Sequence, residues 1–481
     1  MVDRGVWISG VGVGVGSRRL GVAEIGDAWG RGGRGRLAVA DTDQDSLTLG
    51  WDAALAALDA AGLSPAEIGG LWWGTTRPPF AEGPSWVHLA ATLRLGESTT
   101  GALSTGSAHA GMEALLSAVD AIVAGVVERA LVVVSDALRP GLGSGTETSF
   151  GAGAGALVLQ AAGDTGPGAA RGAARIGRRV SRWAPVLDRY RGDLEHETRE
   201  VYDGRLFREQ IFLPALIGCV EATELDVSTT RWSLPDPDGR LGAGLARRLG
   251  ATTVSSAAVR SELGDLGAAA ALVGVVAALE TAGPAAAVAF GGGRATAVEI
   301  EVVSEVPGAR RAVETLAAEG AAVSYAEVLR NRDQLVANGE RVEMAIPPGS
   351  AMFVRDNRSI LGLLGARCTK CDTVSFPPGV HPSCVGCGGD HFDEVELSRR
   401  GAVQTFVVNQ TMPAPFVAPL PLVCVDLDDG VRVMFQGVGS NGAAGADFRI
   451  GARVELVLRR YTVERGVPIY GWKVRQMEQV T

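Results

Sequence analysis

Lysine is almost absent from this chain of 481 residues, which contains only Lys370 and Lys473. Both lie in the C-terminal quarter, so the long N-terminal region has no amine that can form a Schiff base with a carbonyl substrate. The chain has 45 basic residues against 54 acidic ones, and its formal net charge is -9. This acidic balance argues against a general nucleic-acid-binding surface.

Long apolar runs are also lacking, which excludes a membrane-spanning helix. The first apolar segment, Gly5-Val-Trp-Ile-Ser-Gly-Val-Gly-Val-Gly14, is interrupted by glycine every few residues. It has neither the charged leader nor the continuous core of a signal peptide and is typical of a first β-strand. We therefore expect a cytoplasmic protein without membrane association.

Cysteine is scarce but unevenly placed, because four of the six cysteines fall within 368–387. They form two Cys-x-x-Cys pairs, and each pair places two thiolates on one tight turn. Four thiolates complete a tetrahedral shell with no position for water, so the spacing predicts a structural zinc site. The alternatives are four unrelated thiols or a redox pair, and His381 and His391 flank the site as possible replacement ligands that the spacing does not require. The predicted ligands are Cys368, Cys371, Cys384 and Cys387.

The region from about residue 5 to 335 alternates short apolar runs with Ala-rich stretches. The run 130–135 predicts a buried strand and 108–125 a helix, and such alternation is typical of an α/β fold. Residues 165–200 are rich in Gly and Arg with little periodicity, and they predict an irregular excursion between two halves. After residue 338 a Cys/Pro/Gly-rich knuckle precedes several short strands, which favours a small barrel.

The knuckle and the strands after it resemble the zinc-ribbon/OB-fold proteins that accompany thiolases in acyl-CoA metabolism. The resemblance covers about residues 340–480 and rests on Gly365-Ala-Arg-Cys368, Phe376-Pro-Pro378, Gly401-Ala-Val-Gln-Thr405 and Pro419-Leu-Pro421. In that family the ribbon and barrel help to enclose the acyl-CoA path beside a thiolase-fold partner.

The N-terminal region is similar to 3-hydroxy-3-methylglutaryl-CoA synthases, particularly the archaeal type, over nearly all of residues 5–335. Matching passages include Gly74-Thr-Thr-Arg-Pro-Pro79, Ser149-Phe-Gly-Ala-Gly153, Asp238-Gly-Arg-Leu-Gly242 and Val323-Ser-Tyr-Ala-Glu327. The resemblance implies a thiolase-type duplicated αβα fold and a homodimer or heterodimer. We predict a thiolase-like domain over 1–335, a linker over 336–358, a rubredoxin-like zinc ribbon over 359–397 and a small antiparallel OB-fold barrel over 398–481.

The catalytic set of that family is missing from this chain. The nucleophilic cysteine, which belongs at a helix N-terminus, falls at Ala108, or at His109 in a second alignment. The family's histidine falls at Pro235, its asparagine at Asp265 and its glutamate at Thr76. Without a thiol at the nucleophile position and without a lysine, this region cannot perform Claisen condensation through an acyl-enzyme in the family's manner.

Two side chains in this region remain candidates for catalysis. His109 begins the helix that carries the nucleophile in the family, and it is either a base or oxyanion donor or a packing residue. Burial of Asp265 would raise its pKa and make it a usable acid or base, and structural hydrogen bonding is the alternative. The turn Gly291-Gly-Gly293 matches a glycine-rich turn at which the family's backbone approaches the acyl group, so its N–H groups are candidate substrate contacts.

Three functions are compatible with these features. The first is an enzyme that processes an acyl-CoA or acyl-carrier-protein thioester without an acyl-cysteine, by aldol or retro-aldol chemistry or by direct acyl transfer. The second is a non-catalytic scaffold or partner subunit of an active thiolase or acyl-carrier complex. The third, an ordinary synthase, is disfavoured by the missing residues.

Overall fold

The computed structural model describes residues 5–163, 173–200, 204–335, 351–412, 416, 418–438, 448–464 and 466–477. The chain divides into two compact units, of which the first comprises Met1–Ala40, Asp45–Trp86 and Leu95–Leu335. The second comprises Asp41–Gln44, Val87–Arg94 and Val336–Thr481. Residues 336–350 of the predicted linker lie outside the described residues, and the domain boundaries stay predictions.

The strands and helices are numbered in chain order. The strands are β1 (Val6–Val15), β2 (Arg18–Gly21), β3 (Arg36–Val39), β4 (Gly70–Gly74), β5 (Thr100–Ser104), β6 (Arg129–Ala137), β7 (Ala152–Ala161), β8 (Ala174–Trp183), β9 (Arg189–Tyr190), β10 (Arg199–Glu200), β11 (Arg231–Ser233), β12 (Thr253–Val254), β13 (Gly283–Gly291), β14 (Arg294–Val302), β15 (Ala321–Ala322), β16 (Leu364–Cys368), β17 (Val374–Ser375), β18 (Phe392–Glu396), β19 (Arg400–Asn409), β20 (Leu420–Leu427), β21 (Arg432–Gly437), β22 (Arg453–Glu464) and β23 (Val467–Gln476). The α-helices are α1 (Val22–Ala28), α2 (Ser46–Ala61), α3 (Ser85–Thr92), α4 (Ala110–Val123), α5 (Gly204–Phe207), α6 (Leu213–Glu221), α7 (Leu241–Leu249), α8 (Ser256–Leu263), α9 (Ala270–Val275), α10 (Ala309–Ala317), α11 (Tyr325–Asn331) and α12 (Ala351–Gly362). Within the described residues, no helix combines the length and the apolarity needed to cross a bilayer.

The first unit is built on one ten-stranded sheet that repeats a five-strand pattern twice. The first half has the order β1-β7-β6-β4-β5 and the second has β8-β14-β13-β11-β12. In each half the first two pairings are antiparallel and the last two are parallel. Short antiparallel pairing of β1 with β8 joins the halves. This repetition confirms the predicted duplicated thiolase-type fold.

The glycines that interrupt the first strand have a packing function. A Cβ at Gly12 would lie 2.3 Å from the carbonyl oxygen of Ala53 in α2, and one at Gly14 would lie 2.4 Å from that of Leu49. Because glycine has no side chain, the backbone of α2 can lie directly on β1. The helix is fixed at its start by Asp45, whose carboxylate accepts the Thr48 N–H while the Thr48 hydroxyl accepts the Asp45 N–H.

The predicted excursion over 165–200 is wrong in its middle part. Residues 174–183 form β8, which pairs with β1 on one side and β14 on the other. Most β8 side chains beyond Ile176 are exposed, and several of them are arginines. A strand buried on both faces would carry apolar residues at these positions. Its sequence therefore lacks the apolar run that makes the other strands predictable.

The second unit contains two small sheets. Strands β17, β16 and β18 form the ribbon sheet, and β19, β20, β21, β23 and β22 close into a barrel. This confirms the predicted ribbon and OB-fold arrangement, with one difference: β21 pairs with β23 in parallel through Gln436 and Lys473. The barrel is therefore not antiparallel throughout. The end of the predicted linker is helical, because α12 begins at Ala351.

A buried ion pair lies in the second unit. The Lys473 ammonium contacts the Asp43 carboxylate at 2.9 Å, and both side chains are at most 8% exposed. Arg459 lies 3.9 Å from the other Asp43 oxygen, and the ammonium also sits over the Tyr461 ring. Removal of the carboxylate would leave the buried Lys473 ammonium without this counter-ion, which is costly in a low dielectric.

We expect Asp43→Ala to destabilise the protein by about 3–5 kcal/mol, because it leaves the Lys473 charge buried and uncompensated. Urea unfolding followed by circular dichroism measures the loss. Asp428→Ala is the matched control, because Asp428 pairs with Arg453 at 2.7 Å on the exposed barrel surface and should contribute under about 1 kcal/mol. Equal losses in the two variants would contradict the importance of the buried pair.

Candidate active site and metal centre

Helix α4 begins beside the glycine-rich turn that the resemblance predicts to contact substrate. His109 is its N-cap residue, and the His109 N–H donates to the Ser107 hydroxyl at 3.2 Å. A Cβ at Gly291 would lie 2.6 Å from the His109 nitrogen and 2.9 Å from that of Ala108. Glycine is therefore required at 291, and the structure brings the turn and the helix start together.

A cavity of about 230 Å³ lies beside the start of α4, with Ala108 and Phe290 in its wall. Three of the four positions that carry the family's catalytic set line it, namely Ala108, Pro235 and Asp265. One part of the wall is apolar and another part is charged. The apolar residues include Phe150, Phe207, Phe212, Leu241, Val288 and Phe290, and the charged ones are Asp188, Arg189, Glu200, Asp236, Asp238 and Asp265.

Asp265 is held firmly in the wall of this cavity. Its backbone exchanges hydrogen bonds with Ser149 and Gly151, at 2.7 and 2.8 Å, and its Oδ1 accepts the Gly267 N–H at 3.1 Å. Its other oxygen forms an ion pair with Arg189 at 2.8 Å. The Arg189 guanidinium also lies over the Phe150 ring, 5.1 Å from its centroid. Asp265 is thus a carboxyl group held in a fixed position at this site.

Other carboxyls of the cavity are shifted toward the neutral form. Burial raises the pKa of Asp188, of Glu200 and of Asp236. For Arg189, burial works to lower the pKa, but the carboxylates of Asp265 and Asp188 outweigh it, so the pKa is raised. The cavity thus combines a permanent cation with acids whose protons are retained to higher pH than usual.

The Gly292 N–H, a predicted substrate contact, already has an acceptor within the chain. It donates to Asp188 Oδ2 at 3.0 Å. Gly293 has a φ of 73° and completes the turn. A direct role of Gly291, Gly292 and Gly293 in substrate binding stays a prediction, and a ligand would have to compete with Asp188 for this donor.

His109 is not among the residues that line the cavity. Its side chain is completely buried, its Nε2 is 2.8 Å from the Thr296 hydroxyl, and its Nδ1 is 3.4 Å from a Glu113 oxygen. The Thr296 hydroxyl also forms a hydrogen bond with the Ser181 hydroxyl at 2.9 Å. The structure therefore separates the His109 side chain from Asp265, and catalysis by His109 stays a prediction that this packing does not favour.

Thr76, at the position of the family's glutamate, also lies away from the cavity wall. Its N–H and hydroxyl donate to Asp136 Oδ1 at 2.8 and 2.9 Å. Asp136 Oδ2 accepts the Ala268 N–H at 2.7 Å. Asp136 thereby links this turn to the loop that carries Asp265.

The four predicted metal ligands come together. Their sulfur atoms all lie within 4.8 Å of one another, with 3.6 Å between Cys368 and Cys387 and 3.5 Å between Cys371 and Cys384. A tetrahedral Zn²⁺ site with Zn–S bonds of about 2.3 Å requires sulfur atoms about 3.8 Å apart. The Gly386 N–H also donates to the Cys384 sulfur at 3.4 Å. The donor set thus fits a metal ion, and tetrahedral sets of four thiolates hold zinc or iron in proteins.

The sequence does not indicate Arg189, Asp188 or Glu200 as site residues. All three fall in the segment that is predicted to be an irregular excursion. No motif surrounds them, and their role depends on the fold bringing this segment over the cavity. Only the density of charged residues in that segment hints at a site.

The C-terminal part of the chain matches a domain family and is similar to individual proteins. The family described as the ChsH2 C-terminal OB-fold domain matches residues 394–459. A DUF35 domain-containing scaffold protein of Methanocaldococcus jannaschii is 35% identical over 121 residues, which cover 24% of this chain and 82% of that protein. The benzoylsuccinyl-CoA thiolase subunit BbsA of Thauera aromatica is 34% identical over 116 residues, covering 24% of this chain and 76% of the subunit.

The N-terminal part is similar to a different group. A hydroxymethylglutaryl-CoA synthase of Aeropyrum pernix is 29% identical over 255 residues, covering 51% of this chain and 68% of the synthase. The solved structure of MvaS in complex with 3-hydroxy-3-methylglutaryl coenzyme A superposes with a TM-score of 0.57 at 20% identity, over 72% of this chain and 95% of that one.

The fold and the cysteine cluster thus define a thiolase-fold protein that carries its own ribbon and OB-fold module. The chain belongs to the DUF35 domain-containing family through its C-terminal part, and it fuses that module to a region like hydroxymethylglutaryl-CoA synthase.

We expect the purified protein to contain about one zinc ion per chain, and Cys371→Ser/Cys387→Ser to lose it and melt at a lower temperature. Elemental analysis and thermal unfolding measure both effects. Cys424→Ser is the control, because Cys424 lies in barrel strand β20, outside the cysteine cluster. Unchanged metal content in the double variant would rule out the site.

Proposed function

We propose that this protein binds an acyl-CoA or acyl-carrier-protein thioester in the cavity beside Ala108 and processes it without an acyl-enzyme. The observation that carries the proposal is the cavity itself, which is lined by three of the four positions aligned with the family's catalytic set and by charged side chains. Among the described residues that line it, there is no cysteine, lysine or histidine. The carboxyls and the guanidinium of its wall suit chemistry by proton transfer and charge stabilisation.

Retro-aldol or aldol chemistry suits these groups. In the retro-aldol direction a carboxylate removes the proton of a β-hydroxyl, the C–C bond breaks, and a carbonyl compound leaves. The remaining thioester enolate then takes a proton from a neutral carboxyl. Asp188, Glu200 and Asp236 can act as such acids and bases, because a raised pKa brings proton transfer nearer to neutral pH. Arg189 is the cation available to an enolate oxygen.

Direct acyl transfer is the second reaction compatible with the cavity. An external acceptor would attack the thioester carbonyl, a carboxylate would take the acceptor's proton, and the thiolate would leave with the proton that this acid returns. Such a reaction needs the two reactants to be held together, and it needs no enzyme nucleophile. The apolar wall, with Phe150 and Phe290 among its residues, is suited to hold an acyl chain.

A scaffold or partner subunit is the second candidate function. Two relatives of the C-terminal module favour it, because one is named a scaffold protein and the other a thiolase subunit. In this case the protein would hold an active thiolase or an acyl-carrier protein. The charged cavity would then be a remnant, with the Arg189–Asp265 pair serving stability alone.

We also propose that the thiolase fold forms a homodimer or heterodimer. Strand β5 ends the ten-stranded sheet, with β4 as its paired neighbour there. The first three residues of this edge strand are exposed. A strand edge of this kind presents N–H and C=O groups that a partner strand can bind.

Restoring a thiol tests whether Ala108 faces a thioester-binding site. We expect Ala108→Cys to form an acetyl adduct on Cys after incubation with acetyl-CoA, and the parent protein to form none. Peptide mass spectrometry locates the adduct. Ala124→Cys is the matched control, because Ala124 is exposed just beyond the other end of α4. Equal labelling of the two variants would count against a thioester site at residue 108.

Calorimetry separates the two candidate functions. If the protein is an enzyme, we expect acetyl-CoA to bind the parent protein and the Asp188→Asn variant. We expect Asp188→Asn to lower the rate of thioester turnover by about 10²–10⁴-fold, the usual contribution of an acid or base. Absence of thioester binding, together with recovery of a thiolase by the purified protein, would favour the scaffold. Asp59→Asn, an exposed change elsewhere in the first unit, is the control.

A further inference from the structure

Four arginines lie near the carboxyl ends of strands β4 and β6 of the ten-stranded sheet. Arg77 follows β4 and Arg139 follows β6, and the carboxyl ends of these neighbouring parallel strands lie side by side. Arg191 follows β9, and Arg332 follows α11. The first unit contains all four, and the charges of Arg139, Arg191 and Arg332 are each close enough to act on Arg77.

Hydrogen bonds between loops fix this arrangement. The Thr198 N–H donates to the Arg139 carbonyl at 2.9 Å. The Gln334 amide donates to the Pro140 carbonyl at 2.8 Å and to a Glu197 oxygen at 2.7 Å. Three separate loops, containing residues 139–141, 195–198 and 332–334, are thereby tied together. The arginines are therefore positioned by the fold.

The guanidinium groups bind backbone carbonyls where a carboxylate partner would be expected. Arg77 donates to the His196 carbonyl at 2.9 Å, and Arg139 and Arg191 donate to other carbonyl oxygens at 3.3 Å. Within the described residues, none of the four arginines has a carboxylate within 4.0 Å. Buried atoms of two of them, Arg77 Nη1 and Arg139 Nε, have no acceptor there.

Three carboxylates in the vicinity already have other donors, and a fourth, Asp333, acts on Arg139 through its charge. Asp136 accepts from Thr75, Thr76 and the Ala268 N–H. Glu147 accepts from the Tyr325 hydroxyl and from the Gly143 N–H, and Glu197 accepts from Gln334. These groups offset part of the positive charge without supplying the missing acceptors. An anion from outside the described chain would satisfy both needs.

The cluster remains charged at neutral pH. Burial and then the neighbouring arginines lower the pKa of Arg77 to about 10, and burial lowers that of Arg332 to about 10. Both values are far above neutrality, so the four guanidiniums repel one another in the free protein. A bound anion would relieve this repulsion.

We propose that Arg77, Arg139, Arg191 and Arg332 form a binding site for the phosphate groups of a pantetheine thioester. Guanidinium groups bind phosphate oxygens through paired, charge-assisted hydrogen bonds. The location fits, because the segment that carries Arg191 also carries Asp188, Arg189 and Glu200 of the cavity wall. The identity of the ligand rests on the proposed function, whereas the anion site rests on the arginines alone.

Calorimetry with acetyl-CoA and with S-acetylpantetheine, which lacks phosphate, tests the site. We expect acetyl-CoA to bind the parent protein at least tenfold more tightly. Arg77→Gln and Arg332→Gln should each weaken acetyl-CoA binding by about 10–100-fold, the loss expected for a charged hydrogen bond. Their affinity for S-acetylpantetheine should not change. Arg311→Gln is the control, because Arg311 is an exposed arginine paired with Asp59.

Further measurements separate this inference from the proposed function. Equal affinity of the parent protein for the two thioesters would overturn the phosphate site and leave the proposed function intact. Pyrophosphate binding that depends on Arg77 and Arg332 would support the anion site even if neither thioester bound. Arg191→Gln, at an exposed position, provides the same test if the buried variants fail to fold.

The source of the phosphate is distinguished by two additional probes. Acetyl-dephospho-CoA retains the diphosphate, whereas S-acetyl-4′-phosphopantetheine retains only the phosphate that a carrier protein would present. Binding of the latter as tightly as acetyl-CoA supports a carrier-protein thioester. A loss of affinity on removing the nucleotide part supports coenzyme A. If acetyl-CoA and both probes bind no more tightly than S-acetylpantetheine, phosphate recognition is excluded.

Discussion

The buried carboxylate of Asp136 fixes the relative position of the elements that form the cavity. Its Oδ1 accepts from the Thr75 and Thr76 hydroxyls and from the Thr76 N–H, at 2.8 to 2.9 Å, and its Oδ2 accepts the Ala268 N–H. Burial raises the pKa of this carboxyl, so the charged form depends on those four donors. A Cβ at Gly267 would lie 2.3 Å from Oδ2, which explains the glycine at this close approach. One side chain thus connects the two halves of the first unit and places Asp265.

With alanine at residue 108, the proposed chemistry depends on the donors and acids around it. An oxyanion needs a free N–H, but the Gly292 N–H is already bonded to Asp188. While Asp188 is ionised, its charge repels an incoming oxyanion. Burial raises the pKa of Asp188, and a neutral Asp188 would itself be a hydrogen-bond donor. The geometry therefore favours proton transfer at Asp188 over oxyanion stabilisation by the turn.

The parts of the structure that depend on local pattern could be predicted from the sequence. Cys-x-x-Cys spacing indicated the four sulfur ligands, and Ser324 with Glu327 indicated the capping box that starts α11. The side-chain direction of His109 could not be predicted in this way. Consecutive residues of a helix point about 100° apart, so the alignment that placed the helix start could not decide whether residue 108 or 109 faced the cavity. Ala108 lines it, and His109 is buried against Thr296.

The preference for arginine over lysine also has a physical consequence. Burial lowers the pKa of Arg77 and of Arg332 to about 10, and each remains a cation at neutral pH because a guanidinium is a stronger base than an ammonium. A lysine begins near 10.4, so the same shift would bring it close to neutral pH and weaken its attraction for an anion. The one buried lysine of the barrel, Lys473, has a carboxylate at 2.9 Å. Buried positive charge without such a partner is compatible with this fold because the residues that carry it are arginines.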